Sequence, residues 1–320
     1  MFTNARMLLA VTLIPAAWFS PSQTNRRQQD TASAGTVHNT PSSRMQQAQA
    51  GDPLAQYEVG RSYMDGNGVP LDYDRAAMWY QKAAQQGFPQ AEFTLGYLYE
   101  HGKGVKRDYR RAFSYYLAAA DQQSSDAENN LGFMYAHGRG VHKDLKQALL
   151  WYRRAADHGH VVAQCNLASF YFYGEGVPRD LPQSATWFRV AAERGFAPAQ
   201  ENLAWMYFTG NGLTLDYSGA EKWVRKAATA GYARAQLDLG YLYEQGKGVP
   251  LDYVSAYMWY KAALNGGEKR ADLALKNLSG MMSKAQIAEA AAAAAALPRS
   301  SGASRTYTSA DSLGTFIGRR

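Results

Sequence analysis

The sequence predicts an all-α fold, a right-handed α-solenoid of stacked antiparallel helix hairpins. Three observations lead there. A glycine-marked pattern recurs every 36 residues, six times, with no insertion or deletion. Each copy holds two apolar stripes at helical spacing. Each first stripe runs into a glycine pair, and each second stripe opens after an aspartate.

The elements follow in chain order. Met7 to Phe19 form a short apolar run behind a single positive charge, Arg6. Such a run is too short for a span of about 20 residues and fits an export signal. Residues 1–22 are therefore expected to be a signal peptide or anchor, and the protein to be exported, periplasmic or secreted, with a cytoplasmic protein as the alternative. Any membrane association is expected only through this segment. Residues 23–50 are rich in Gln, Ser and Thr and are expected to form a disordered linker.

Residues 51–280 carry the array. In its first copy Ala55, Val59, Gly60 and Tyr63 share one helix face, and the helix stops at Gly66-Asn67-Gly68. Pro70 cannot continue it. Asp72 is placed to cap a second helix carrying Ala76, Trp79, Tyr80, Ala83 and Ala84, which Gly87 ends.

The same register gives Gly96, Gly132 and Gly240, with Ala168 and Ala204 in the remaining copies. It gives Asp108 and four further cap aspartates, and Tyr115, Trp151, Trp187, Trp223 and Trp259 at the position of Trp79. The expectation is that each glycine lets the large residue of the Trp79 row approach the backbone, so that facing helices sit about 8–10 Å apart.

Departures from the pattern carry their own expectations. Gln123 stands where other copies have the helix-ending glycine, so that turn should be strained. Ala168 and Ala204 should widen the packing slightly, and Ser184 replaces a helix alanine. Lys276 and Ser279 break the seventh copy, which should lose its docking face. Ser283 and Gln286 have capping-box spacing and open a C-terminal capping helix over 281–297. Residues 298–320 are expected to be a disordered basic tail.

Charge narrows the function. The chain carries a formal +7, yet residues 1–50 and 298–320 each carry +3, which leaves +1 for the repeats. A nucleic-acid binder concentrates cations on its folded face, so this balance argues against a nucleic-acid partner. The single cysteine, Cys165, allows no intramolecular disulfide and reads as a small buried apolar residue. The histidines lack a metal-ligand pattern. His101 and His137, at equivalent positions, could approach one another, and His158 and His160 lie in what reads as an exposed turn. No catalytic constellation, metal or cofactor is expected.

Ala-x-x-x-Leu-Gly-x-x-Tyr, then Gly-x-Gly-Val, then Asp-Tyr-x-x-Ala-x-x-Trp-Tyr-x-x-Ala-Ala-x-x-Gly resembles the Sel-one-like repeat, a relative of the tetratricopeptide repeat. The resemblance implies a non-enzymatic scaffold that binds a protein or peptide in a concave groove lined by first helices. Some cysteine-rich relatives are associated with β-lactam hydrolysis, which needs Ser-x-x-Lys; no serine here has that spacing.

Partner contacts are expected where the copies disagree. Tyr97, Phe133, Trp205 and Tyr241 form an aromatic row; Asn130, Asn166 and Asn202 form an amide row. Aromatics can anchor side chains and amides can pair with a peptide backbone. The structural alternative is that the rings fill gaps and the amides hold neighbouring helices together. A second functional reading is an envelope glycan-binding or polysaccharide-assembly adaptor, because aromatic faces also stack on sugars.

Overall fold

The computed structural model describes residues 41–298, which hold fifteen helices and no strand. They divide into two compact units, 41–163 and 164–298, with the boundary inside one helix, α8. The first unit contains α1 (Pro41–Gln49), α2 (Pro53–Asp65), α3 (Tyr73–Ala84), α4 (Pro89–His101), α5 (Tyr109–Asp121), α6 (Ser125–His137) and α7 (Leu145–Asp157). The helix α8 (Val161–Tyr173) crosses the boundary. The second unit continues with α9 (Leu181–Glu193), α10 (Ala197–Thr209), α11 (Tyr217–Thr229), α12 (Ala233–Gln245), α13 (Tyr253–Asn265), α14 (Ala271–Ser279) and α15 (Lys284–Ala296).

Consecutive helices pack on one another. In the first unit α2 pairs with α3, α4 with α5 and α6 with α7, while α3–α4 and α5–α6 join the hairpins; in the second, α10–α11 and α12–α13 are hairpins joined by α11–α12.

Stops and caps lie where the sequence places them. Gly66 closes α2 at φ 68°, a left-handed conformation that glycine adopts without steric cost. The following N–H, of Asn67, reaches back to the Ser62 carbonyl at 3.0 Å. Asp72 then caps α3 by accepting from the Arg75 N–H at 2.9 Å, and its own N–H bonds the Tyr63 carbonyl at 2.9 Å. The linker is thereby fastened at both ends. Gln123 holds φ 63° and is the only non-glycine with positive φ among the described residues.

The packing against the glycine row differs from the sequence expectation. The ring that meets the glycine belongs to the residue after the tryptophan. Gly60 lies against Tyr80, Gly96 against Tyr116, Gly132 against Tyr152 and Gly240 against Tyr260. A Cβ on Gly96 would come within 2.7 Å of the Tyr116 ring. One residue is about 100° of helix rotation, so the Trp79 row points elsewhere. Trp79, Trp223 and Trp259 are buried and Trp151 and Trp187 half-buried. Lys82, Arg154 and Lys226 lie over the rings of Trp79, Trp151 and Trp223, at 4.3, 4.7 and 4.3 Å. Where alanine replaces the glycine, the register pairs Ala168 with Phe188 and Ala204 with Val224, and all four are fully buried. Smaller partners thus accompany the larger residue.

Both ends of the described chain are covered. The helix α1 occupies part of the stretch expected to be linker. Ala48 is buried, its carbonyl accepts from Gln56 Nε2 at 3.1 Å, and Arg44 pairs with Glu58 at 2.5 Å. The 36-residue register places Ala48 on Ala84 and Gly51 on Gly87, so α1 stands in for the second helix of a preceding copy. At the other end α14 keeps an apolar face, burying Ala271, Ala274, Leu275 and Leu278, with Lys276 and Ser279 exposed. It therefore docks despite the broken pattern. Both α14 and α15 pack on α13. A full capping box between Ser283 and Gln286 opens α15, which buries Ala290 and Ala294.

Candidate interaction face

The variable first-helix positions divide between the units. In the first unit Tyr97 on α4 is half-exposed, while Phe133 and Asn130 on α6 are buried. In the second, Asn202 on α10 and Tyr241 on α12 are half-exposed, while Asn166 on α8 and Trp205 on α10 are buried. The Trp205 Nε1 has no acceptor among the described residues.

The amides act between copies. The Asn130 side chain hydrogen-bonds the Tyr116 hydroxyl, which donates to Glu100 Oε2 at 2.8 Å. Complete burial and the neighbouring Glu100 carboxylate hold that phenol protonated far above its ordinary range. The Asn202 side chain hydrogen-bonds the Cys165 thiol, whose pKa burial pushes up to about 12. Thr94, in the same row, hydrogen-bonds Tyr57. Each bond ties a first helix to the preceding hairpin. In the adjacent row Glu201 is also turned inward, its Oε1 2.7 Å from Arg234 Nε.

Three rings of the aromatic row, those of Tyr97, Phe133 and Tyr241, have a lysine or arginine beside them. His101 lies against Tyr97 and His137 against Phe133, with ring centroids 4.2 and 4.1 Å apart and planes tilted by 32°. Each histidine Nδ1–H donates at 2.9 Å to the carbonyl four residues earlier, that of Tyr97 or Phe133. Both rings are thereby committed to their own helix ends.

Lys103 donates to the Tyr97 hydroxyl at 3.1 Å and lies 5.2 Å from its ring. Arg139 lies 4.8 Å from the Phe133 ring. In the second unit Phe172 meets Trp205 at 5.9 Å, Phe208 meets Tyr241 at 6.2 Å, and Lys247 lies 4.9 Å from Phe208 and 5.9 Å from Tyr241.

Lys103, Arg139 and Lys247 sit between the two glycines of their turns, a position read in the sequence only as part of a helix stop. The copies disagree there, with Asn67, Glu175 and Asn211 in the others. That disagreement was the available signal.

The turn holding His158 and His160 is a polar clasp rather than a free surface. His158 Nδ1 lies 2.8 Å from Glu128, which is fully buried and also faces Arg154 at 3.2 Å. His160 Nε2 lies 3.1 Å from Asp126, and its Nδ1 accepts from the Ala163 N–H at 3.1 Å. Among the described residues no three His, Cys, Asp or Glu side chains are grouped to hold a metal ion, and no helix is long and apolar enough to cross a membrane.

Comparison with known proteins places this architecture. The Sel1 repeat model matches residues 53–88, 89–124, 125–160, 161–196, 197–232 and 233–268. The chain is similar to a protective antigen of uropathogenic Escherichia coli strains with an SLR fold, at 34% identity and TM-score 0.70, over 79% of this chain and 55% of that one. It thus spans about half the length of that relative. It is also similar to a Sel1 repeat protein from Oxalobacter formigenes, at 34% identity and TM-score 0.62, over 70% of this chain and 88% of that one. No curated protein matches. With six matched copies in one unbroken register, the chain belongs to the Sel1 repeat family.

Proposed function

We propose that this protein is a non-enzymatic scaffold that binds a protein or peptide along its first-helix face. Sel1 repeat proteins are in general protein-interaction scaffolds and typically non-enzymatic. The observation that carries the reading here is the division of labour among the 36-residue positions. The repeated residues are consumed by stops, caps and core, whereas Tyr97 and Tyr241 stand at a position that varies between copies and keep partial solvent exposure. Asn130 and Phe133 in the first unit, and Asn166 and Trp205 in the second, are buried. The cations over the rings favour peptide over glycan, since a sugar stacks on an open aromatic face. Export through the N-terminal segment belongs to the same proposal; that segment lies outside the described residues.

The test is affinity purification with parent and Tyr97→Ala/Tyr241→Ala protein. A partner retained by the parent and lost from the variant, at unchanged melting temperature, is expected. Equal recovery from both would remove the face from the reading. Quenching of tryptophan fluorescence by cell-wall polysaccharide, with no protein recovered, would favour the glycan adaptor instead.

A further inference from the structure

The turn edge of the first unit carries a concentration of positive charge that the whole-chain balance conceals. The stretch from Lys103 to Arg111 holds five cations against one carboxylate, and that from Arg139 to Gln147 three against one. The equivalent stretches 67–75, 175–183, 211–219 and 247–255 hold no more cations than carboxylates. Lys106, Arg107, Arg110, Arg111, Arg139 and Lys143 are all exposed.

The two stretches adjoin. A Cβ on Gly140 would lie 2.2 Å from the Tyr109 carbonyl oxygen, so the second turn rests directly on the start of α5. Arg107 and Arg139 both lie over the Tyr109 ring, at 5.6 and 5.9 Å.

Local ion pairing does not balance this charge, although Lys103 and Arg111 donate to the Tyr97 and Tyr99 hydroxyls at 3.1 and 3.2 Å. The two carboxylates present, Asp108 and Asp144, are engaged in capping backbone N–H groups of α5 and α7. The pairs these cations make, Arg111 with Asp108 and Arg139 with Glu100, are long, 3.6 Å each. Arg110, Arg111 and Lys146 stand in first helical turns, where the helix dipole opposes cations and favours anions.

We propose that this rim docks an acidic segment of a partner protein, a run of Asp and Glu side chains. The proposal rests on the scaffold reading above and names its partner's chemistry. Guanidinium forks pair with carboxylates in two parallel hydrogen bonds. Single-stranded nucleic acid fits less well because it needs open rings for its bases. Here Lys103 lies over Tyr73 and Tyr97, Arg111 over Tyr99, and both Arg107 and Arg139 over Tyr109.

The test uses the full chain and a fluorescein-labelled peptide of about twelve residues alternating Glu with Gly and Ser, read by fluorescence anisotropy at low salt, where such contacts are strongest. Lys106→Glu/Arg110→Glu/Lys143→Glu should weaken binding at least tenfold at unchanged melting temperature. Lys222→Glu/Lys269→Glu/Lys284→Glu makes the same change in net charge on exposed sites of the second unit and should change binding less than twofold. An equal loss in both variants would reduce the effect to net charge and overturn the rim. Failure of the peptide to bind the parent would overturn it too, as would a single-stranded oligonucleotide of equal charge binding as tightly through the same residues. These outcomes leave the Tyr97/Tyr241 capture experiment untouched, so the rim and the scaffold reading fail separately.

Discussion

Gln123 holds a backbone conformation that costs an L-residue roughly 1–2 kcal/mol. The glycines at the same register, Gly87 and Gly195, have nothing within 4 Å of a built Cβ, so the strain lies in the backbone and not in a clash. Glycine carries a larger unfolded-state entropy, about 0.5–1 kcal/mol, so Gln123→Gly should raise stability by about 1 kcal/mol or less. A higher urea midpoint at unchanged slope is the expected result; a lower one would mean that the glutamine side chain contributes more than its backbone loses.

Cys165 gives a second residue-scale prediction. Its native thiol titrates at about 12 because it is fully buried, whereas an unfolded thiol ionises near about 8.5. Above that pH the unfolded chain binds fewer protons than the native one, so this group lowers stability as pH rises from about 8.5 toward 12. At pH 8 the native protein should leave a thiol-disulfide dye unreacted while the urea-unfolded chain reacts fully. Prompt labelling of the native protein would contradict the burial.

At the scale of the element, much of the hairpin was legible. Apolar spacing, the glycine pair and the aspartate cap are local devices, and each acts within a few residues of itself. What the chain concealed was rotational. Trp79 and Tyr80 are adjacent and both large, and only the facing helix decides which of them meets Gly60. The amide row was ambiguous for a similar reason. Asn130 and Asn202 look alike in sequence on any solvent-facing helix, yet each bonds the hairpin before it. Disagreement between copies marks a position as free of the scaffold rule; it does not say whether the side chain points at solvent or at a neighbour.

At the scale of the whole molecule, an array must finish, and only one finish was readable. The Ser283–Gln286 box announced α15, whereas α1 was hidden in a polar stretch whose only marks are Ala48 and Gly51 in register. Gln236 Nε2 donates to the Pro298 carbonyl at 3.3 Å, which fastens the chain beyond α15 to α12. Deleting residues 281–320 would uncover the part of α13 on which α15 packs and remove the buried Ala290 and Ala294. The loss should be on the order of 2 kcal/mol, or about 4–8 °C in melting temperature. Calorimetry on the shortened chain checks this, and an unchanged transition would mean that α15 covers nothing of consequence.

The match between glycine and ring also bears on how such a chain can be rearranged. A crossover between hairpins moves Gly132 together with Tyr152, or Ala204 together with Val224, and the fit survives. A crossover inside the turn would splice an alanine-bearing first helix onto a tyrosine-bearing second helix, forcing a Cβ to within about 3 Å of a ring. The smallest interchangeable segment of this protein is therefore the intact hairpin, and viable recombinants should have their joints between hairpins.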